Sequence, residues 1–125
     1  MTMMKAGMRM MTTNGKMNSL EELFEKQISF QQRLGKCDGE PRDDIENYKY
    51  HLIAMQEEMG EVLASDKRWK THRNETYDEL NKKEELADVL ITFMNLCIFS
   101  GFDIETMLEV TNNKIDSNFK RLNKC

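Results

Sequence analysis

The 125-residue chain is long enough to form one domain with a core of its own. Charged residues make up 32% of it and aromatic residues 8%, with six glycines and one proline, a composition that favours helices over a multi-stranded sheet. The formal net charge of −4 is spread along the chain, which excludes the basic surface of a protein that binds a nucleic-acid polymer. We expect an all-α fold, an antiparallel bundle of four or five helices.

The first 17 residues differ from the rest in composition. They hold seven of the eleven methionines, three positive charges and no acid, without the continuous apolar core of a signal peptide. We predict a disordered tail at residues 1–17 and a helical domain over residues 18–125. No apolar run is long enough for a membrane span, so no membrane partner is expected. Cys37, Cys97 and Cys125 are odd in number and lack CxxC spacing, which indicates reduced thiols in the cytoplasm.

Two helices are predicted in the first half of the domain. Ser19 and Glu22 form an S-x-x-E capping box that starts the first helix, and the loop GKCDGEP at residues 35–41 ends it. Two aspartates after this loop suit the start of a second helix, which runs to about Ser65. Its apolar residues recur at helical spacing and predict a core-facing side: Leu52, Met55, Met59, Val62 and Leu63.

The second half of the domain begins with a connection. Residues 66–77, DKRWKTHRNETY, lack apolar periodicity and are expected to form a basic, mobile segment. A third helix begins near Asp78 and ends at Gly101, which suits a left-handed cap. Asp103 then caps a fourth helix with a predicted inner side of Ile104, Met107, Leu108, Ile115, Phe119 and Leu122.

The third helix is the most apolar part of the chain. Eleven of the fourteen residues from 86 to 99 are apolar, and the polar residues lie on one narrow strip: Glu85, Asp88, Thr92 and Asn95. A helix that is apolar nearly all round is buried, so a carboxylate such as Asp88 needs a partner there. Four helices cannot cover this much apolar surface, which predicts a homo-oligomer, either a dimer or a tetramer.

Four carboxylates recur with the same spacing on the second and third helices. Glu58 and Glu61 are three residues apart and share one side of their helix, as do Glu85 and Asp88. Antiparallel helices can bring these pairs face to face, where cations relieve the repulsion among like charges, and all-oxygen ligands suit Mg²⁺ or Mn²⁺. The alternative for Glu58 and Glu61 is an ordinary solvated helix face.

Other side chains have two interpretations each. Trp69 is either a stacking platform for a base or a cover over the core. Lys114, Asn118 and Arg121 lie on one face of the fourth helix, which either binds phosphate or is simply solvated. The sequence has no E-x-x-H motif, so a ferritin-like di-iron site is disfavoured, and His51 is expected to be an ordinary surface or core histidine.

Several of these segments resemble a known enzyme family. EEMGEV at residues 57–62 and EELADVL at residues 84–90 resemble the E-x-x-E and E-x-x-D signature of the all-α nucleoside triphosphate pyrophosphohydrolases, the MazG-like and dimeric dUTPase superfamily. GFDIETML and NNKIDSNFKRL are similar to the MazG-like ending, while LFEKQISFQQRLG and the RWK of residues 68–70 are similar to the dimeric dUTPases. The resemblance covers roughly residues 20–122.

The resemblance implies hydrolysis of a nucleoside triphosphate between its α and β phosphates, as housecleaning or control of the dNTP pool. It implies Mg²⁺, with Mn²⁺ as a substitute, held by Glu58, Glu61, Glu85 and Asp88. One glutamate of the first pair would orient the attacking water, with Glu57 as a weaker candidate. The implied substrate contacts are Lys114 and Arg121 to pyrophosphate, Asn118 and Trp69 to the nucleoside, and Gln27 or Gln31 to a base edge, with Lys70 of the RWK segment as a further substrate-binding residue. Broad MazG-like specificity is the first expectation, and dUTPase-type specificity the second.

Two other functions stay open at this point. In the first, the chain is a non-catalytic helical assembly module with solvated carboxylates. In the second, it is a sensor that binds nucleotide and metal without turnover. Cleavage of a nucleotide conjugate such as a sugar nucleotide is a further option at the same carboxylates.

Overall fold

The computed structural model describes residues 19–70 and 76–123. It contains four helices, α1 Leu20–Arg33, α2 Ile45–Ser65, α3 Glu79–Ile98 and α4 Ile104–Asn123, and a short 3₁₀ helix, Lys67–Trp69, after α2. The described residues form no strand, so the all-α prediction is confirmed. The disordered tail predicted at residues 1–17 and part of the predicted mobile connection, residues 71–75, lie outside the described residues. A search of the described helices for a bilayer-spanning segment found none.

Each helix starts where a short polar side chain can satisfy its first backbone N–H groups. The Ser19 hydroxyl accepts from the backbone N–H of Glu22, and the Glu22 carboxylate accepts from that of Ser19, which completes the predicted capping box. Asp44, Asp78 and Asp103 cap α2, α3 and α4 in the same way. Hydrogen bonds from Asn47 lower the pKa of Asp44, and those from Thr106 lower the pKa of Asp103.

The loop before α2 is fixed against the end of α3. The backbone N–H of Arg42 donates to the carbonyl of Ile98 at 2.8 Å, and that of Asp44 donates to Phe99 at 2.9 Å. Gly101 has a φ of +79°, and a Cβ atom at this position would lie 3.1 Å from the backbone nitrogen of Asp43. A side chain at Gly101 would therefore be opposed both by its backbone conformation and by this close approach.

The core is small and lies at one end of the molecule. It contains six buried apolar side chains, which come from α1, the end of α3 and the start of α4: Phe24, Met94, Cys97, Ile98, Phe99 and Ile104. Helix α2 contributes no buried residue, although it packs along α3. His51 meets Phe99, Glu58 meets Asp88, and Asp66 meets Lys82, so α2 and α3 run antiparallel as a helical hairpin.

The expectation that α3 is buried on nearly every side is wrong for the single chain. Leu86, Leu90 and Phe93 are 48%, 40% and 40% exposed, whereas Thr92 and Asn95 of the polar strip are buried and Asp88 is not. The reason is that α1 covers only the second half of α3, on the side of that polar strip. Many of the side chains predicted to face a core on α2 and α4 are exposed as well: Leu52, Met59, Leu63, Ile115, Phe119 and Leu122.

The predicted mobile connection is ordered at its start. The Asp66 carboxylate, 9% exposed, accepts from Arg68 at 2.8 Å and from Lys82 on α3 at 2.7 Å. These hydrogen bonds, that of Arg68 above all, hold the pKa of Asp66 well below its ordinary range. The Arg68 guanidinium also lies 4.2 Å above the centre of the Tyr77 ring. Sequence periodicity could not predict this corner because polar contacts rather than apolar packing hold it.

Replacement of Phe24 tests the core. Phe24 is 1% exposed, so Phe24→Ala leaves a cavity and should lower the free energy of unfolding by about 3–5 kcal/mol, measured by urea denaturation. Phe30, on the same helix, is 54% exposed and serves as the control. Phe30→Ala should cost less than about 1 kcal/mol. Equal losses in the two variants would contradict this placement of the core.

Candidate functional site

Three carboxylates meet between α2 and α3, halfway along the hairpin. One oxygen from each of Glu58, Glu85 and Asp88 lies within 4.8 Å of the other two. The sequence predicts this approach from the i, i+3 spacing on two antiparallel helices, and the structure brings these residues together. Glu58 and Glu85 are half-buried, so water screens their charges less than it would on an open surface.

Glu61 and Glu57 belong to the same electrostatic cluster. Partial burial raises the pKa of Glu58, and the charges of Asp88, Glu61 and Glu57 raise it further. Partial burial also raises the pKa of Glu85, with added contributions from Glu61 and Asp88, which lie close enough to hydrogen-bond with it when it is protonated. Glu61 and Glu57 are themselves exposed. The four predicted carboxylates therefore act on one another as one group, with Glu57 at its edge.

The described residues supply the cluster with no compensating cation. Within residues 19–70 and 76–123, no Lys or Arg forms an ion pair with Glu58, Glu61, Glu85 or Asp88. The nearest ion-pair network on the hairpin, around Asp66, uses Lys82 and Arg68. Like charges at this density disfavour full ionisation, so protons or a cation from outside the described residues would stabilise the cluster.

The donor set fits Mg²⁺ or Mn²⁺. Both ions prefer carboxylate and water oxygens, and ligands about 2.1 Å from Mg²⁺ lie about 3–4 Å from one another. The carboxylate oxygens of the triad lie up to 4.8 Å apart, slightly more than this range. Rotation of the side chains is enough to bring these oxygens to the shorter distance. Glu58, Glu85 and Asp88 would hold the ion directly, and Glu61 lies beside Glu85 as a fourth ligand or as an acceptor for bound water.

A network of amide side chains lies further along the hairpin, where α1 crosses it. Gln27 and Gln31 both donate from Nε2 to the Oδ1 of Asn95, at 2.9 and 3.2 Å. Gln31 and Asn95 are 3% and 4% exposed. The Asn95 amide nitrogen in turn lies 3.4 Å from Nδ1 of His51. These contacts satisfy Asn95, while each glutamine keeps a carbonyl oxygen for another partner.

The amide network forms one wall of a pocket of about 510 Å³, which is within the usual range for small-molecule sites. Aromatic and apolar side chains form the other walls, among them Phe30, Tyr50 and Ile91. His51 stacks parallel on Phe99, with the ring centres 5.4 Å apart, and partial burial lowers its pKa, which favours the neutral imidazole. The charged residues Lys36 and Glu46 also line the pocket. Its flat apolar surfaces and its amide groups suit a planar heterocycle.

The pocket and the carboxylates lie on the same side of the hairpin. His51 precedes Glu58 by seven residues on α2, and Asn95 follows Asp88 by seven residues on α3. Seven residues of α-helix correspond to about 10 Å, or two turns. A ligand with a heterocycle at one end and anionic groups at the other therefore matches the spacing of the two sites.

The remaining predicted substrate residues lie elsewhere. Trp69 and Lys70 sit at the far end of α2, where the Trp69 indole donates to the carbonyl of Leu63 and lines a separate depression with Asp66 and Lys82. Lys114, Asn118 and Arg121 lie on the second half of α4, where every residue from 109 to 123 is exposed. The structure does not bring either group together with the carboxylates in one chain.

Two pocket residues were missed by sequence reasoning. Asn95 was recognised only as part of the polar strip of α3, and His51 was expected to be an ordinary histidine. The signal for Asn95 was present, because it lies two turns from Asp88 on the same strip. The sequence carried no comparable signal for His51, whose role depends on its stacking against Phe99.

Comparison of the chain with known protein families, curated proteins and solved structures found no match. The resemblance to the pyrophosphohydrolases therefore stays a prediction from sequence motifs.

Neutralising one carboxylate should stabilise the metal-free protein. Glu58 and Glu85 have raised pKa values, so their ionised forms destabilise the fold; the cost is absent below the ordinary pKa of 4.5 and complete above the raised one. Glu58→Gln and Glu85→Gln should each raise the melting temperature at pH 8 in EDTA. The gain should vanish as the pH falls below 4.5.

The same variants should lose stabilisation by metal. Excess Mn²⁺ should raise the melting temperature of the wild type, because an ion that binds only the folded state stabilises it. It should leave the melting temperature of Glu85→Gln unchanged. Glu84→Gln is the matched control, since Glu84 is exposed and adjacent in sequence. An equal effect of Mn²⁺ on Glu84→Gln and Glu85→Gln would contradict the assignment of the metal ligands.

Proposed function

We propose that the chain is a Mg²⁺-dependent nucleoside triphosphate pyrophosphohydrolase, which converts a (d)NTP and water to the monophosphate and pyrophosphate. The observation that carries the proposal is the convergence of Glu58, Glu85 and Asp88, with Glu61 beside them, without a cation from the described chain. Such a cluster suits divalent ions that in turn bind phosphate oxygens.

The chemistry divides between the metal and the side chains. Bound Mg²⁺ would supply charge neutralisation for the phosphate oxygens and lower the pKa of a coordinated water. Glu61 is exposed at the edge of the cluster, beside Glu85, and is our candidate to accept a proton from the attacking water. The water oxygen bonds to the α-phosphorus, and the bond from that phosphorus to the oxygen bridging to the β-phosphate breaks, which releases pyrophosphate.

The amide pocket supports a nucleoside as the rest of the substrate. Its aromatic walls suit stacking, and the free carbonyl groups of Gln27 and Gln31 suit a base edge with N–H donors. The distance of about two helical turns between Asn95 and Asp88 suits a base at one end and the reacting phosphates at the other. This arrangement favours a nucleotide over a simple phosphate ester.

The decisive assay identifies the products. The wild type with Mg²⁺ and a panel of standard and modified dNTPs should yield dNMP and pyrophosphate, separated by anion-exchange chromatography. Glu58→Gln should lower kcat by about 100-fold or more, whereas Glu84→Gln should not. Release of dNDP and phosphate would contradict the proposed bond cleavage. Tight nucleotide binding without any product would identify a sensor instead, and neither binding nor turnover would favour a non-catalytic assembly module.

Gln27→Met tests the pocket. Loss of the Gln27 amide removes a base contact and weakens the support of Asn95, so KM for the preferred nucleotide should rise about tenfold with a much smaller change in kcat. Gln32→Met is the control, because Gln32 lies on the same helix but contacts the carbonyl of Asp38 on another side. A loss of kcat without a change in KM would argue against Gln27 as a substrate-binding residue.

A further inference from the structure

The direction of the hydrogen bonds in the amide network determines which polar atoms the pocket offers to a ligand. The Oδ1 atom of Asn95 accepts from the Nε2 atoms of Gln27 and Gln31, at 2.9 and 3.2 Å. Both glutamines therefore use a donor inside the network, and each keeps its carbonyl oxygen as an acceptor. Because Gln27 and Gln31 both line the pocket, a ligand there meets two acceptors on α1.

The carbonyl of Gln31 is the clearest sign that the pocket holds a ligand with N–H groups. The Gln31 side chain is on a residue that is 3% exposed, so bulk water does not solvate it. Among the residues that the structure describes, none donates a hydrogen bond to its Oε1 atom. A buried acceptor without a donor destabilises the fold, and a donor on a ligand in the pocket would remove that cost.

The same network sets the tautomer of His51. The amide nitrogen of Asn95, which is a donor, lies 3.4 Å from the Nδ1 atom of His51. Nδ1 therefore accepts, and the proton of the neutral imidazole is on Nε2. Partial burial lowers the pKa of His51, which favours this neutral form. His51 lines the pocket as well, so it offers the ligand an N–H donor rather than a third acceptor.

The charged side chains of the pocket lie at its edge and do not change this polarity. The Glu46 side chain is 82% exposed and lies 3.7 Å from the ammonium group of Lys49. Lys36 is exposed as well. Water screens the charges of exposed side chains, so the amides and His51 decide which polar edge the pocket prefers.

Two acceptors and one donor on the protein match a base edge with two donors and one acceptor. Guanine has this edge, because its N1–H and 2-amino groups donate and its O6 atom accepts. Cytosine and adenine have a single amino group as the donor of the corresponding edge, and uracil and thymine have only N3–H. Among the standard bases, guanine alone gives a partner to all three protein groups.

The size and the walls of the pocket also favour a two-ring base. The cavity of about 510 Å³ is bounded by flat side chains from two helices, Phe30 of α1 and Tyr50 of α2. Both side chains are more than half exposed, at 54% and 66%. A purine offers these rings more flat surface for stacking than a pyrimidine does.

We propose that the pocket selects a guanine base, which makes a guanine nucleoside triphosphate the preferred substrate. The term substrate rests on the proposed function, whereas selection of the base does not require turnover. The N1–H and 2-amino groups donate to the carbonyls of Gln27 and Gln31, and His51 donates to O6. Any other standard base leaves one of these groups without a partner, which lowers its affinity by about tenfold.

Isothermal titration calorimetry with deoxynucleoside monophosphates measures this selectivity without turnover. The full chain should bind dGMP about tenfold or more tightly than dAMP, dCMP or dUMP. It should bind dIMP, which lacks only the 2-amino group of dGMP, about tenfold more weakly than dGMP. Equal or undetectable binding of the five nucleotides would overturn the proposal. A preference for dCMP would also overturn it, because cytosine fits the opposite orientation of all three amides.

His51→Phe tests the donor to O6. Phenylalanine can still stack on Phe99 but has no N–H group, so dGMP and dIMP should both bind about tenfold more weakly, with the difference between them retained. Gln32→Met, at a residue that contacts the carbonyl of Asp38, is the control and should bind both as the wild type does. Unchanged affinity for dGMP in a folded His51→Phe variant would contradict the proposal. If circular dichroism shows that this variant does not fold, the comparison of dGMP with dIMP in the wild type decides.

Turnover separates this proposal from the proposed function. Hydrolysis of the dNTP panel with the highest kcat/KM for a base other than guanine would overturn the selection of guanine and leave the pyrophosphohydrolase standing. Selective binding of dGMP without hydrolysis of dGTP would do the reverse.

Discussion

The rest of the structure depends on the pairing of α2 and α3. These helices stay paired although acidic side chains face one another along the middle of the pair. Contacts at the two ends of the hairpin, rather than in its middle, hold the helices together. At one end Asp66 accepts from Arg68 and from Lys82 of α3, and at the other His51 stacks on Phe99 and contacts Asn95. Between these ends no Lys or Arg of residues 19–70 and 76–123 pairs with the carboxylates, so the fold supplies a preorganised oxygen-lined gap rather than a closed apolar seam.

The amide network links this gap to the core. Asn95 is buried beside the apolar side chains that pack on Phe24, and it accepts from both glutamines of α1. A buried, satisfied amide fixes the position of the helices that contribute to it, because any displacement leaves polar groups without partners. The same contacts that orient α1 on the hairpin therefore also shape the pocket, and the distance from pocket to carboxylates is set by two rigid helices.

Local signals predicted the helices well, because a cap is a contact between residues three apart. Ser19, Asp44, Asp78 and Asp103 each start a helix, and the spacing of Glu58, Glu85 and Asp88 was enough to anticipate their approach. The inward side of α3 was not predictable, since a helix that is apolar on nearly every side has no periodicity that marks the core. The contact of Gln27 with Asn95 joins residues 68 apart in sequence, and it depends on how α1 crosses the hairpin, which no local pattern encodes.

The central claim is that the acids between α2 and α3 bind a divalent cation, and electron paramagnetic resonance of Mn²⁺ tests it most directly. Free Mn²⁺ gives a sharp six-line spectrum that weakens when the ion binds to protein. The account predicts that the wild-type chain weakens this signal in proportion to its concentration and that a variant with both Glu58→Gln and Glu85→Gln does not. A free-ion signal that the wild type leaves unchanged, or that both proteins weaken equally, would contradict the account.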